Sequence, residues 1–178
     1  MIKEIKQPNS WSCSACVAAM ITVTTLEDVV IFLGHDGSRI SEDSLHPDKH
    51  RGFYMREIML YLACFGIGPG LSIKFNEGDG EKWTIIDDDK YDKIEAIWFP
   101  ISHPAIIAVK SKNLKECEHV ILWMYGRIYD SDPKTNSSEV RLKDYDIVEW
   151  IPLTFFEDEF IKAPKQFLGV QMKKDNND

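Results

Sequence analysis

The pattern of hydrophobic and polar residues changes partway along the chain, from helical spacing to short apolar runs. In the first part, apolar residues recur at the spacing of one helix face, which predicts helices over residues 14–23, 25–33 and 54–65. Later, short apolar runs bounded by Gly, Pro, Asn and Asp indicate strands instead. The predicted strands cover residues 71–75, 83–86, 104–109, 119–125, 128–130 and 147–153, and a short helix is expected over residues 89–98.

Helices that come first and strands that follow are typical of an α+β protein with an antiparallel sheet. We therefore predict one domain over residues 1–172, in which a helical N-terminal part packs against a C-terminal antiparallel sheet. Residues 173–178 are expected to form a disordered tail. Within the helical part, Thr24 and Glu27 are expected to form the capping box of the second helix. The glycines of residues 66–70 are expected to end the third helix.

Composition narrows the class of protein. The chain of 178 residues is 44% hydrophobic, which is enough to bury an ordinary core. Its formal net charge of −8 argues against a nucleic-acid-binding surface, because phosphate binding requires a basic face. No segment approaches the roughly 18 apolar residues of a membrane span, and the first residues lack the apolar run of a signal peptide. Four cysteines are too few for a disulfide-stapled secreted scaffold. We therefore expect a cytoplasmic protein that binds neither nucleic acid nor membrane.

The stretch before the first predicted helix carries the strongest chemical signal. Pro8, Asn9 and the neighbouring serines disfavour regular structure, whereas the small apolar residues from Ala15 onward favour a helix. Cys13 is therefore expected at a helix N-terminus, where unpaired N–H groups and the positive end of the dipole stabilise a thiolate. A nucleophile in that position needs a base for its proton and donors for an oxyanion.

His119 is the best candidate for the base, because it opens an apolar strand that would fix its ring. A hairpin after this strand would return the chain to the start of the strand and bring an aspartate beside His119. Asp130 and Asp132 both lie at the end of the returning strand, and the choice between them stays open because a shift of two residues lies within the error of such a prediction. The side-chain amide of Gln7 and the backbone N–H of Cys13 are candidate oxyanion donors.

The order of Gln7, Cys13 at a helix start, His119 on a strand and Asp132 before a proline resembles the papain-like cysteine peptidases. The resemblance is nearest to the bacteriocin-leader-processing branch of that superfamily. It implies a papain-like fold and a thiol hydrolase that cleaves a peptide, isopeptide or related amide bond through a Cys-His-Asp triad. It implies no cofactor, and its expected partner is a peptide or protein-conjugate substrate.

The resemblance covers roughly residues 5–135. A group of uncharacterised phage and bacterial proteins with the same layout also resembles this chain, over residues 33–38, residues 51–53 and the helix that follows them. This second resemblance implies a role of the chain against host defence. Ser14 and Ala15 stand where the family commonly has Gly-Pro, so the entry into the helix is expected to differ. Nothing resembles the attached transporter of the leader-processing branch, so that role is not carried over.

Cys13 and Cys16 form a Cys-x-x-Cys pair, which allows two other interpretations. A thioredoxin-like redox site normally follows a strand within a βαβ unit, and the segment before Cys13 is too short for one. A zinc site would use Cys117 and His119 as its further ligands. The simplest interpretation of Cys16 is a small core residue.

A binding protein on the same fold is a further alternative, in which the cleft holds a small ligand or a partner. The polar loop over residues 34–52 contains His35, His46 and His50. Loops of this length inside a compact domain are often functional or mobile, and this loop is a candidate to line the cleft. These histidines could also join a metal site, but solvated loop positions are the interpretation we favour. We therefore predict neither a cofactor nor a bound metal.

Overall fold

The computed structural model describes residues 2–40, 50–74, 103–114 and 117–156. Within these ranges three α-helices precede an antiparallel sheet of six strands, which confirms the predicted α+β class. The strands lie in the order β1-β6-β3-β4-β5, and β2 pairs with β6. The elements are α1 (Cys13–Thr22), α2 (Leu26–Leu33), α3 (Met55–Ala63), β1 (Ile67–Pro69), β2 (Ile73–Lys74), β3 (Ala105–Lys110), β4 (Glu118–Met124), β5 (Arg127–Asp130) and β6 (Ile147–Phe155).

Helix α1 is the centre of the helical part. Every residue from Cys13 to Ile21 is buried, because α1 packs against α2, α3 and β4. A helix that is apolar on all sides is typically buried inside a domain. The sequence predicted only one buried face for this helix, whereas all of its faces are buried. The helix begins one residue earlier than predicted, so Cys13 is itself the first helical residue.

The capping box of α2 lies one residue later than predicted. The chain leaves α1 through Val23, whose backbone is left-handed (φ 56°), and Thr24 still belongs to this turn. Thr25 is the N-cap: its hydroxyl accepts from the N–H of Asp28 at 3.1 Å, and the Asp28 carboxylate accepts from the N–H of Thr25 at 2.8 Å. The assignment to Thr24 and Glu27 was therefore wrong, because the turn out of α1 uses one more residue than the sequence indicates.

The segment after α3 also differs from its prediction. Residues 66–70 were expected to end the third helix, and no strand was predicted there, but β1 lies within them and pairs with the end of β6, with Ile67 opposite Phe155. The three residues of β1 are isoleucine, glycine and proline, which show no strand periodicity. The strand is therefore recognisable only from its pairing with β6. The predicted strand at 83–86, the predicted helix at 89–98 and the tail at 173–178 lie outside the described residues.

The sheet has a hydrophobic cluster on each face, as alternate residues of β3 show. Ile106 packs with the helices, whereas Ile107 and Val109 belong to the second cluster. That second cluster also contains Leu142 and Tyr145, from the connection between β5 and β6. It therefore holds this connection against the sheet. Among the described helices, no single one is long and apolar enough to cross a membrane.

Candidate active site

The loop before α1 is shaped by Asn9. Its side-chain oxygen accepts hydrogen bonds from the N–H of Trp11, at 3.2 Å, and from the hydroxyl of Ser12. The carbonyl of Ser12 then accepts from the N–H of Cys16 at 2.9 Å, which closes the first helical turn. Cys13 is the first residue of α1, where backbone N–H groups lack intrahelical acceptors, and no acidic side chain lies in this turn. The side chain of Cys13 is therefore presented at the positive end of a buried helix.

His119 connects Cys13 to an acidic side chain. Its Nε2 lies 2.6 Å from Oδ1 of Asp130, and its ring also interacts with the thiol of Cys13, which contributes to the pKa of His119. Because Nε2 faces the carboxylate, Nδ1 is the nitrogen left for the sulfur. The His119 side chain is 14% exposed and that of Asp130 is 2% exposed, so this pair is largely shielded from water.

The two partners of His119 favour its charged form. Burial by itself lowers the pKa of His119, but the hydrogen bonds and negative charges of Asp130 and Cys13 outweigh burial and raise it to about 10. For Asp130, burial has the opposite effect and raises the pKa. The hydrogen bond and charge of His119 and the hydrogen bonds of other donors outweigh burial and hold that pKa below its ordinary value. The site therefore favours an imidazolium that lies between the sulfur of Cys13 and the carboxylate of Asp130.

The aspartate whose carboxylate reaches His119 is Asp130, the alternative, rather than Asp132, which the resemblance implies. The ladder between β4 and β5 ends where Ile121 pairs with Asp130. A longer ladder would place Asp132 opposite His119, but the chain instead turns, and the carbonyl of Asp132 accepts from the N–H of Thr135 at 3.0 Å. Asp130 lies two positions along β5 from the point opposite His119. Its side chain still reaches the ring, because such diagonal neighbours on adjacent strands are within contact distance.

Asp130 has further partners that the sequence did not reveal. The hydroxyl of Tyr145 donates to its Oδ2 at 2.7 Å, and the N–H of Asp132 donates to its Oδ1 at 2.9 Å. Its own N–H donates to the hydroxyl of Ser137 at 2.9 Å. Tyr145 follows a short 3₁₀ helix (Leu142–Asp144) and lies in a stretch of mixed polar residues, so no periodicity marked it as buried.

Gln7 lies beside the residue that follows Asp130. Its N–H donates to the carbonyl of Ser131 at 2.8 Å, and the Ser131 hydroxyl donates to its side-chain oxygen at 3.1 Å. This arrangement uses the amide oxygen of Gln7 and leaves its Nε2 as the donor. Lys6 strengthens the attachment, because its ammonium donates to the carbonyls of Asp130 at 2.9 Å and of Thr135 at 2.8 Å. The N-terminal segment is thereby fixed to the end of β5.

Cys16 is a core residue rather than a partner in chemistry. It is completely buried within α1. Burial, together with the nearby Cys13, raises the pKa of the Cys16 thiol to about 12, which disfavours a thiolate. Within the described ranges, no group of three or more His, Cys, Asp or Glu side chains is arranged to hold a metal ion.

The described ends of the polar loop approach the cysteine segment. The ring of His50 lies 3.8 Å from that of Trp11, and the Trp11 indole N–H donates to the carbonyl of Asp36 at 3.1 Å. Gly52 has a left-handed backbone (φ 68°), and a Cβ there would lie 3.1 Å from the carbonyl oxygen of Trp11. His35 instead lies 3.5 Å from the carboxylate of Glu57. His46 lies outside the described residues.

Fold and site together define an α+β protein in which a helix-terminal cysteine meets a His–Asp pair from an antiparallel sheet. No protein-family model matches the sequence, and no curated protein matches it either. A similar solved structure is the crystal structure of a double-glycine-motif protease from an AMS/PCAT transporter in complex with the leader peptide. The two chains are 13% identical with a TM-score of 0.47, and the match covers 88% of this chain and 93% of that chain. A likeness at this level assigns no role to any residue of this chain.

Proposed function

We propose that this protein is a papain-like thiol hydrolase that cleaves a peptide, isopeptide or related amide bond. The observation that carries the proposal is the grouping of Cys13, His119 and Asp130, in which the His119 ring bonds to the carboxylate and interacts with the thiol. A nucleophile, a base and a group that orients the base are the three parts that covalent acyl transfer requires. The position of Cys13 at the N-terminus of a buried helix adds electrostatic support for a thiolate.

The proposed reaction has two halves. His119 already holds the thiol proton as an imidazolium, and the thiolate of Cys13 attacks the carbonyl carbon of the substrate. The tetrahedral intermediate collapses with cleavage of the C–N bond, and His119 gives its proton to the departing amine. A water molecule then attacks the resulting thioester, with His119 as base, and releases the acid and the free thiol. Asp130 holds the imidazole in one orientation throughout and stabilises its charged form.

Gln7 is the proposed oxyanion donor from a side chain. Its amide oxygen is engaged by Ser131, so its Nε2 remains to donate to the negative oxygen of the intermediate. The backbone N–H of Cys13 is the second donor, because the first residues of a helix have no intrahelical acceptor.

An amide fits this site better than an ester. An amine is a poor leaving group unless it is protonated as the bond breaks, and a charged His119 supplies that proton. We therefore propose a peptide or a protein conjugate as substrate, without assigning a sequence to it.

Two thiol reagents test this function without knowledge of the substrate. Iodoacetamide alkylates a thiolate directly, whereas p-nitrophenyl acetate acylates it through a tetrahedral intermediate that requires oxyanion donors. Peptide mapping of the treated protein identifies which of the four cysteines has reacted. We expect Cys13 to react fastest with both reagents, and the Cys13→Ala variant to show no burst of p-nitrophenol. Reaction of Cys13 at the rate of Cys64 or Cys117 would contradict the proposed function.

Gln7→Ala separates the two reactions. We expect it to slow acylation of Cys13 about 100-fold, the usual effect of removing one oxyanion donor. Alkylation of Cys13 should stay within about threefold of wild type, because that reaction forms no oxyanion. An equal loss in both reactions would show that Gln7 acts on the thiol itself or on folding, and the oxyanion role would then be wrong.

A further inference from the structure

The carboxylate of Asp130 is fixed at both of its oxygens. Oδ1 accepts from Nε2 of His119 at 2.6 Å and from the N–H of Asp132 at 2.9 Å, while Oδ2 accepts from the hydroxyl of Tyr145 at 2.7 Å. Asp130 is only 2% exposed, so bulk water is not available to replace a lost donor. The Tyr145 hydroxyl is therefore the group that holds the oxygen turned away from His119.

Tyr145 is itself held firmly. It is 9% exposed and packs in the hydrophobic cluster that contains Leu142 and Trp150. Its N–H donates to the carbonyl of Leu142 at 3.1 Å, and the ammonium of Lys112 lies 4.4 Å from the centre of its ring. Packing on the ring and a cation on its face leave the hydroxyl little freedom to leave the carboxylate.

We infer that Tyr145 is a positioning residue of the proposed hydrolase, which acts through Asp130 and keeps its Oδ1 on His119. Without the hydroxyl, the carboxylate is free to rotate, and Oδ2 becomes a buried charged oxygen without a donor. The inference rests on the proposed function, because holding Asp130 matters to chemistry only if His119 serves Cys13.

The surrounding charges are consistent with a neutral tyrosine that donates. Burial raises the pKa of Tyr145 well above its usual value, and Asp130 adds to that effect, so the hydroxyl keeps its proton. The same hydrogen bond is among the interactions that lower the pKa of Asp130. Among the described residues, the charged and titratable groups near this pair are His119 from β4, Asp132 and Asp144 from the connection to β6, Lys112 from the loop after β3, and Lys6 from the N-terminal segment.

The test is the pH profile of Cys13 alkylation in Tyr145→Phe, which removes only the hydroxyl. Loss of a hydrogen bond to a charged carboxylate should move the acid limb of the profile to higher pH by about one unit. This limb is a property of the coupled Cys13, His119 and Asp130 groups rather than of one of them. Acylation of Cys13 by p-nitrophenyl acetate should fall about tenfold, because His119 is less well oriented.

Tyr61→Phe is a matched control. Tyr61 is also buried, at 3% exposure, and its hydroxyl lies 2.8 Å from that of Thr24, away from Asp130. This variant also loses the hydrogen bond of a tyrosine hydroxyl, here a part-buried bond between neutral groups, so it should lower thermal stability by less than Tyr145→Phe does. We expect it to leave the pH of the acid limb unchanged and the acylation rate within about twofold of wild type.

The outcomes separate this inference from the proposed function. A shifted limb in Tyr145→Phe alone supports the positioning role. An unshifted limb in folded Tyr145→Phe, or an equal shift in Tyr61→Phe, overturns it, while fast labelling of wild-type Cys13 keeps the proposed function intact. If wild-type Cys13 reacts no faster than Cys64, the proposed function itself has failed.

Discussion

Alkylation of Cys13 by iodoacetamide is expected to slow by about one to two orders of magnitude at pH 7 in the His119→Ala variant. Without the imidazole the thiol keeps its proton, and an ordinary thiol is only a few per cent thiolate at this pH. As the pH rises towards about 10, solvent hydroxide removes the proton in either protein, and the two rates should converge. The measurement is the second-order rate of carbamidomethylation of the Cys13 peptide by mass spectrometry, between about pH 5 and pH 10.

The same digest provides the control for this prediction. Cys64 lies in the turn after α3, half-buried, and burial raises the pKa of its thiol. Its alkylation should therefore be slow and equal in wild type and in His119→Ala. A defect at Cys13 that stays constant across the whole pH range would mean that the substitution blocks access to the sulfur, and the assignment of His119 as base would then be wrong.

Asp130→Asn is expected to lower acylation of Cys13 by p-nitrophenyl acetate at pH 7 by about 10- to 100-fold. The amide oxygen can still accept a hydrogen bond, but the negative charge that favours the imidazolium is lost. The neutral ring can also adopt the wrong tautomer, because the main role of an aspartate in such a site is to fix the tautomer. Initial burst rates, measured well below the melting temperature of each variant, provide the comparison.

Asp132→Asn is the matched substitution two residues later. Asp132 is engaged in its own turn, where one carboxylate oxygen accepts from the N–H of Lys134 at 2.9 Å. We therefore expect acylation within about threefold of wild type. If Asp132→Asn caused the larger loss, the pairing of His119 with Asp130 would not be the functional one.

Local signals in the sequence were sufficient to predict most of the helical part. Proline and serines followed by small apolar residues placed Cys13 at a helix start, and it is the first residue of α1. The apolar run after His119 predicted β4 almost to its ends. Such features depend on short-range preferences of the backbone, which neighbouring residues largely determine.

Features that depend on tertiary contacts were missed. Asp130 replaces Asp132 beside His119 because the β4–β5 ladder ends early, and the end of a ladder depends on the turn that follows it. Tyr145 was missed because its burial depends on the second hydrophobic cluster, which no local pattern encodes. β1 exists because the end of β6 is available to pair with it.

The most direct test of the central claim is an NMR titration of the His119 ring in wild type and in Cys13→Ala. The claim is that the sulfur and the imidazole share a proton. In wild type we expect His119 to stay protonated through neutral pH, with a pKa of about 10. In Cys13→Ala that pKa should fall, because the hydrogen bond and charge of the sulfur are removed, whereas Cys64→Ala should leave it unchanged. A His119 pKa near the ordinary 6.5 in wild type, unaltered in Cys13→Ala, would contradict the claim.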